Sequence, residues 1–340
     1  MVALNWPLLA PGPQDMRWVR VEEPSAVAAC RNAAQTMASR LEFPAARIDQ
    51  LALAVSEAAS NLHKHAKQGS LLLAINRDGP EPGIDLVTID AGPGFGDVSA
   101  AMRDGHSTAG TLGIGLGAIR RLADFCDLYS VPGRCSALVA RFWPVPRADP
   151  VGIQCAGLIR PISGEVECGD RFAAARIDGT LTAIMSDGLG HGPLAAKASA
   201  EAVAAVLDDI AGEPAVLLRR VHERIGGTRG AAIGIVQLTD GLARFAGLGN
   251  IAATILSGGS RKSMLSVPGI AGHQARSIRQ FDYEVPAGAA VILHSDGVSS
   301  RWEAGALPAL ETKDPLVVAA TLLAEAGINR DDAGVLVIKP

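Results

Sequence analysis

Aromatic residues make up only 4% of the 340-residue chain, so any core must be built from the Ala, Val, Leu and Ile that dominate its 48% hydrophobic share. No apolar run approaches the roughly 18 residues of a membrane span; Leu51–Ala59 is apolar but short. Five cysteines, Cys30, Cys126, Cys135, Cys155 and Cys168, form no C-x-x-C pair. A disulfide framework and a cysteine zinc site are therefore not expected, and reduced thiols in a cytoplasm fit better. Excess positive charge is also missing. Lys and Arg number 31 against 35 Asp and Glu, a net charge of −4, which argues against a nucleic-acid partner. Met1–Met16 carries three prolines and no basic cluster ahead of an apolar stretch, so it does not read as a signal peptide. A phosphate loop of the G-x-x-x-x-G-K-[ST] type is absent as well.

What is present suggests two domains. Trp143-Pro-Val-Pro-Arg-Ala-Asp-Pro150 holds three prolines in eight residues, each removing a backbone donor and disfavouring helix before it. We expect a loose N-terminus over 1–15, one domain over 16–143, a linker over 144–151 and a second domain over 152–340. Before the linker, periodicity predicts helices over Pro24–Arg40, Ala45–Lys67 and Gly113–Cys126, with strands over Leu71–Asn76, Ile84–Asp90 and Val139–Phe142. After it, strand-like runs dominate, with helices over Pro193–Ile210, Pro214–Ile225 and Pro315–Ala326. Both halves mix helix with mostly antiparallel sheet, so the expected class is α+β.

Three features of the first half point to one ligand. Glu57, Asn61 and His65 follow one another at i+4 and share a helix face beside the apolar stripe Leu51, Ala54, Val55, Ala58 and Leu62. Taken alone, that face reads more readily as an ordinary solvated one. The strand Ile84–Asp90 ends in Asp90-Ala-Gly92-Pro-Gly94-Phe-Gly96, where a carboxylate can accept from an exocyclic amine and glycines admit a ligand to the backbone. Gly110-Thr-Leu-Gly113-Ile-Gly115-Leu-Gly117 then leads into a helix, where unpaired N–H groups favour phosphate. In this order the motifs resemble the Bergerat-type ATPase and kinase superfamily. Val55-Ser-Glu-Ala-Ala-Ser-Asn61, Ala101-Met-Arg-Asp-Gly-His-Ser-Thr108 and Gly115-Leu-Gly-Ala-Ile-Arg-Arg-Leu-Ala-Asp124 resemble the RsbT-like switch kinases more closely. The resemblance implies a Bergerat-type α/β sandwich that binds ATP with Mg²⁺. It implies Glu57 as general base, Asn61 as Mg²⁺ ligand and Asp90 as the adenine reader. Gly92, Gly94, Gly110, Thr111, Gly113, Gly115, Leu116 and Gly117 would line the nucleotide. Ser60 stands where these kinases usually have Arg, and Cys135-Ser136 where Gly-Thr is usual.

In the second half, aspartates recur at strand ends: Gly169-Asp170, Asp187-Gly-Leu-Gly-His-Gly192, Asp296-Gly and Asp331-Asp332. Each alone is ordinary turn chemistry. Together, oxygen-only groups suit hard ions such as Mg²⁺ or Mn²⁺, and two such ions can drive displacement at phosphorus. Asp187-Gly-Leu-Gly-His-Gly-Pro-Leu-Ala-Ala-Lys-Ala-Ser199 resembles the signature of the metal-dependent protein phosphatases, in their SpoIIE/RsbX-like branch. Gly227-Thr-Arg-Gly-Ala-Ala232, Gly247-Leu-Gly-Asn250, Ser295-Asp-Gly-Val298 and Arg330-Asp-Asp-Ala-Gly-Val335 extend the likeness. It implies an α-β-β-α sandwich with two Mn²⁺ or Mg²⁺ ions on Asp170, Asp187, Asp296, Asp331 and the Gly188 carbonyl, with Asp332 as the alternative to Asp331. Gly334 stands where Thr is common, a departure expected to leave the metals untouched. His191 is either a phosphate contact or a turn residue, and the Gly226–Gly230 segment with Arg229 either faces substrate or simply connects helix to strand.

The expected function is a cytoplasmic, bifunctional kinase and phosphatase acting on a STAS-domain phosphoprotein, with a sigma factor as second candidate partner. The rival expectations are a phosphatase governed by a non-catalytic ATP-sensing domain and an anti-sigma factor with an attached phosphatase.

Overall fold

A computed structural model describes residues 9–12, 14–77, 81–102, 115–146 and 154–340. The chain divides into two compact units, 14–150 and 151–340, the second joined by the N-terminal residues 9–12. Each is described by itself.

The first unit runs β1 (Met16–Arg20), α1 (Pro24–Arg40), α2 (Ala45–His65), β2 (Ser70–Asn76), β3 (Gly83–Asp90), α3 (Val98–Ala101), α4 (Gly115–Leu122), β4 (Phe125–Val131) and β5 (Cys135–Phe142). Its antiparallel sheet has the order β1-β2-β3-β5-β4. The apolar stripe of α2 is buried at Leu51, Ala54, Val55, Ala58 and Leu62. It shares one core with the α1 residues Cys30, Ala34 and Ala38 and with Leu71, Leu73, Leu86 and Phe142 of the sheet. Methyl-sized α1 residues let the helices lie close, which suits a core so poor in rings. The helix expected over Gly113–Cys126 is shorter: α4 ends at Leu122, and Phe125 and Cys126 already belong to β4. Arg47 fixes that break. Its guanidinium pairs with Asp124 and donates from Nε to the Trp143 carbonyl at 3.0 Å, tying α2 to the chain between α4 and β4.

The second unit runs β6 (Gln154–Arg160), β7 (Asp170–Ile177), β8 (Thr180–Gly188), α5 (Pro193–Leu207), α6 (Pro214–Arg224), β9 (Ala231–Thr239), β10 (Leu242–Leu248), β11 (Ala252–Ser257) and β12 (Ser260–Met264). It continues with β13 (Ser266–Val267), β14 (Gly269–Ile270), β15 (Gln274–Ala275), β16 (Phe281–Glu284), β17 (Ala290–His294), α7 (Pro315–Ala326) and β18 (Ala333–Lys339). One sheet has the order β13-β10-β9-β8-β7 with β16 on β10, and the other β12-β11-β17-β18-β6. Helices α5 and α6 cover the first sheet and α7 the second, while β6 and β18 meet β7 between the layers. The architecture is an α-β-β-α sandwich. β7, β8, β17 and β18 are buried along nearly their whole length, which forces their polar residues out to the strand ends. Part of the start expected to be loose is paired instead: Leu9 and Ala174 exchange both backbone hydrogen bonds, at 3.0 and 2.8 Å.

Among the described residues no helix is long and apolar enough to cross a membrane. All five cysteines are free thiols.

Candidate functional sites

In the first unit, α2 begins where the Pro44 carbonyl accepts from Arg47 and Ile48 and ends as Ala66 turns to extended backbone. His63, Lys64 and His65 sit in its last turn, favourable at the negative end of the helix dipole. Glu57 and Asn61 are half-buried and His65 is exposed. The start of α4 is brought onto this face, since a Cβ on Gly115 would lie 3.0 Å from Asn61 Nδ2. Asp90 closes β3, and its Oδ1 accepts the Gly92 N–H at 2.7 Å. Burial pushes the Asp90 carboxyl up, and the Gly92 N–H partly offsets this. The Asp90 loop also comes against the end of α2, because a Cβ on Gly92 would be 3.2 Å from the His65 carbonyl. Gly94 has φ +71°, a left-handed conformation suited to glycine, and a Cβ there would press on Ser130 Oγ at 2.8 Å.

The departure at Cys135-Ser136 lies directly beside this site. Ser136 is the register partner of Asp90 across β3 and β5, and its hydroxyl is 3.0 Å from Ser130 Oγ. Ser130 in turn receives the Phe95 N–H at 3.0 Å, anchoring the glycine-rich loop to β4. Periodicity alone could not find this serine pair. Gly110, Thr111 and Gly113 lie outside the described residues, as do residues 103–108 of the quoted Ala101–Thr108 motif; Leu116 and Gly117 lie in the first turn of α4.

In the second unit, four strand ends bring their aspartates together. Asp170 at the start of β7 is the register partner of Asp187 near the end of β8. Asp170 is 1% exposed. Its Oδ2 accepts from Ser295 Oγ at 2.5 Å, while its buried Oδ1 has no hydrogen-bond partner. Burial raises the Asp170 carboxyl well above its ordinary range, and the charge of Asp187 adds to this. Burial, then Asp296 and Asp331, push Asp187 up to about 8. Asp187 and Asp296 share a hydrogen bond, and Asn250 Nδ2 donates to Asp296 Oδ2 at 2.6 Å. A Cβ on Gly188 would lie 2.2 Å from the Ala195 carbonyl, so only glycine lets α5 close this tightly on the strand end.

The paired aspartates 331 and 332 differ in their surroundings. Asp332 is 3% exposed. Its two oxygens accept the Ile162 and Gly169 N–H groups at 2.7 and 2.8 Å. Asp331 instead adds its charge to Asp187 and Asp296. Gly334 lies beside this cluster. Its N–H donates to Ser295 Oγ at 2.9 Å, and a Cβ there would stand 3.1 Å from Asp170 Oδ2 and 2.1 Å from Met185 Cε. Gly334 therefore shapes the Asp170 surroundings through Ser295. His191 places Nδ1 3.2 Å from the Glu165 carboxylate, at the exposed rim.

A buried carboxylate oxygen without a donor, among mutually repelling carboxylates, fits a hard divalent cation held by oxygen. Among the described residues no three His, Cys, Asp or Glu side chains close into a ready cage, so backbone carbonyls and water would have to complete any coordination.

The family model for the histidine kinase-like ATPase domain matches residues 21–141. The serine/threonine-protein kinase RsbT of Bacillus subtilis (strain 168) is 32% identical over 129 residues, which are 38% of this chain and 97% of that protein. Through this domain the chain belongs to the RsbT family of histidine kinase-like ATPases. Glu57, Asn61 and Asp90 all lie within this RsbT-type domain.

Solved structures match a share of the chain larger than the RsbT-type domain could supply. One, from an account of the bacterial stressosome as a modular system adapted to control secondary messenger signalling, is 28% identical. It covers 56% of this chain and 100% of its own, with TM-score 0.50. RsbX in complex with magnesium is 20% identical over 56% of this chain and 96% of its own, also with TM-score 0.50. The chain accordingly joins an RsbT-like domain to a second domain with the fold of RsbX.

Proposed function

We propose that the chain is a bifunctional partner-switching regulator, its first domain phosphorylating Ser or Thr on a STAS-domain protein and its second removing that phosphate. The observation that carries this reading is the fusion itself: an RsbT-type kinase domain in one chain with a phosphatase fold whose strand ends gather four aspartates.

In the first domain, Asp90 Oδ2 makes no hydrogen bond among the described residues and would accept from the adenine amine. Asn61 would hold the Mg²⁺ of ATP, and Glu57 would orient or deprotonate the attacking hydroxyl. Gly92, Gly94 and Gly115–Gly117 would face the nucleotide. In the second domain, Asp170, Asp187, Asp296 and Asp331, with the Gly188 carbonyl, would hold Mg²⁺ or Mn²⁺. Cations there supply Lewis acidity and activate water for attack on the phosphoester. Ser295 and Asn250 would orient the carboxylates, and Asp332 would hold the loop.

The test uses the full chain, candidate STAS-domain proteins and γ-labelled ATP with Mg²⁺, followed by a Mn²⁺ chase. Label should enter the partner and then leave it. Glu57→Ala should block entry and Asp187→Ala should block release; equal transfer in Glu57→Ala rejects the kinase assignment, and equal release in Asp187→Ala rejects the phosphatase assignment. Ser60, in the position where these kinases usually carry Arg, favours a second reading in which the first domain senses ATP without transferring phosphate. Nucleotide binding with no transfer to any partner would select it.

A further inference from the structure

Arg229 lies on the short connection between α6 and β9, and that connection is firmly held. Thr228 Oγ1 donates to the Ile225 carbonyl at 2.7 Å and accepts the Gly230 N–H at 3.1 Å. His273 Nε2 is 3.1 Å from the Thr228 carbonyl. The connection is also tied to the turn that follows the carboxylates, because Leu189 N–H donates to the Gly230 carbonyl at 3.0 Å. Two residues further on, β9 pairs with β8 so that Ala231 faces Gly188 and Ala232 faces Asp187. Arg229 thus leaves the sheet at the same end as the aspartates.

Its guanidinium lies against the turn itself. A Cβ on Gly190 would be 3.1 Å from Arg229 Nη1, and Gly190 has φ +83°. Any side chain there would be strained and would press on the guanidinium. Arg229 is exposed and, among the described residues, forms no ion pair or hydrogen bond. Two arginines of α6 are already engaged. Arg220 pairs with Asp209, and Arg224 with Glu201 and Asp208. His191 shares its Nδ1 with Glu165. An unpaired guanidinium on the turn that follows the aspartate strand end suits a dianionic substrate, since the fork binds two phosphoryl oxygens at once and brings positive charge to an acidic site.

We infer that Arg229 is the residue that receives the phosphoryl group of a phosphoserine or phosphothreonine side chain at the second-domain site. This rests on the phosphatase reading above. It separates Arg229 from His191, which the pairing with Glu165 assigns to the rim.

The experiment uses the full chain with Mn²⁺ and two probes, p-nitrophenyl phosphate and a phosphoseryl peptide. Arg229→Ala should raise KM for both by roughly tenfold or more, the loss expected for a charge-assisted contact, and should weaken inhibition by orthophosphate by a similar factor. The kcat should change far less, Arg229→Lys should recover part of the loss, and the melting temperature should not move. An unchanged KM and unchanged phosphate inhibition in Arg229→Ala overturn the inference. Phosphopeptide binding, followed by fluorescence anisotropy in an Asp187→Asn background with and without Arg229→Ala, keeps the two readings apart. If the wild type hydrolyses neither probe, the phosphatase reading fails. The Arg229 contact then fails too unless binding still weakens on its removal.

Discussion

Ser295 Oγ stands 2.5 Å from Asp170 Oδ2 and receives the Gly334 N–H at 2.9 Å, so one hydroxyl joins three strand ends. It is the only hydrogen bond given to Asp170 by a side chain among the described residues. Ser295→Ala should leave the fold intact while raising the Mn²⁺ concentration for half-saturation about tenfold, as loss of a ligand-orienting partner does. Calorimetric Mn²⁺ titration of the two proteins checks it.

Asp187 makes the metal-free protein sensitive to pH. Its folded-state value of about 8 lies above its ordinary 3.8, so the folded chain holds a proton that the unfolded chain releases. That contribution is fully present below about pH 4 and is lost as pH rises through about 8. In EDTA the melting temperature should therefore fall between about pH 5 and pH 8. Asp187→Asn should flatten the fall and abolish the gain on adding Mn²⁺. A wild-type melting temperature that rises over this range in EDTA would contradict the assignment.

The neighbouring aspartates should separate function from stability. Asp332→Ala strips two buried N–H groups, those of Ile162 and Gly169, of their acceptor and should cost on the order of 3 kcal/mol in denaturant unfolding. Asp331→Ala should unfold at the wild-type midpoint or above it, because it removes a charge that repels Asp187 and Asp296, and should lose phosphatase activity.

Gly115 tests the first domain. Ala at 115 needs only a small shift of Asn61, whereas the branched side chain of Gly115→Val must push the amide aside. Affinity for Mg·ATP should drop about tenfold or more, with the unfolding midpoint nearly unchanged. Titration with a fluorescent ATP analogue measures this; equal affinity would remove Asn61 from the nucleotide site.

Two thiols of the first domain should be inert in the folded chain. Burial pushes Cys30 up to about 11, and burial with the adjacent Asp127 pushes Cys126 up to about 12. Since the thiolate is the reactive form, iodoacetamide at about pH 8 should label these two slowly in buffer and fast in urea. Rapid labelling of Cys30 under native conditions would show that α1 opens.

Much of this was legible because local rules agreed with the fold. The apolar stripe of α2 and the proline starts at Pro24, Pro193, Pro214 and Pro315 mark helices that the structure contains, with Pro24–Arg40 and Pro315–Ala326 identical at both ends. β1, β4 and β6 escaped notice because each mixes polar, charged and half-buried residues, so neither strict alternation nor an apolar run marks it. Around the aspartates, the ligand-type residues stand out as carboxylates at the ends of apolar strands. Ser295, Asn250 and Gly334 fall within the quoted motifs, but their pairing does not: Ser295 serves Asp170 from 125 residues away, and no local spacing announces that contact.

The sequence by itself determined the two mixed α+β domains, the RsbT-like motif order and the run of strand-end aspartates, because these follow from periodicity, proline placement and residue chemistry along the chain. Only the tertiary structure decided how the neighbouring Asp331 and Asp332 divide, one toward the carboxylates and one onto two backbone amides. It also decided that Gly334 works through Ser295 and that Arg229 rests on the Gly190 turn. The reason is physical: a side chain's role is set by which strand ends the sheet register brings beside it, and that register is a property of the folded layers rather than of any segment.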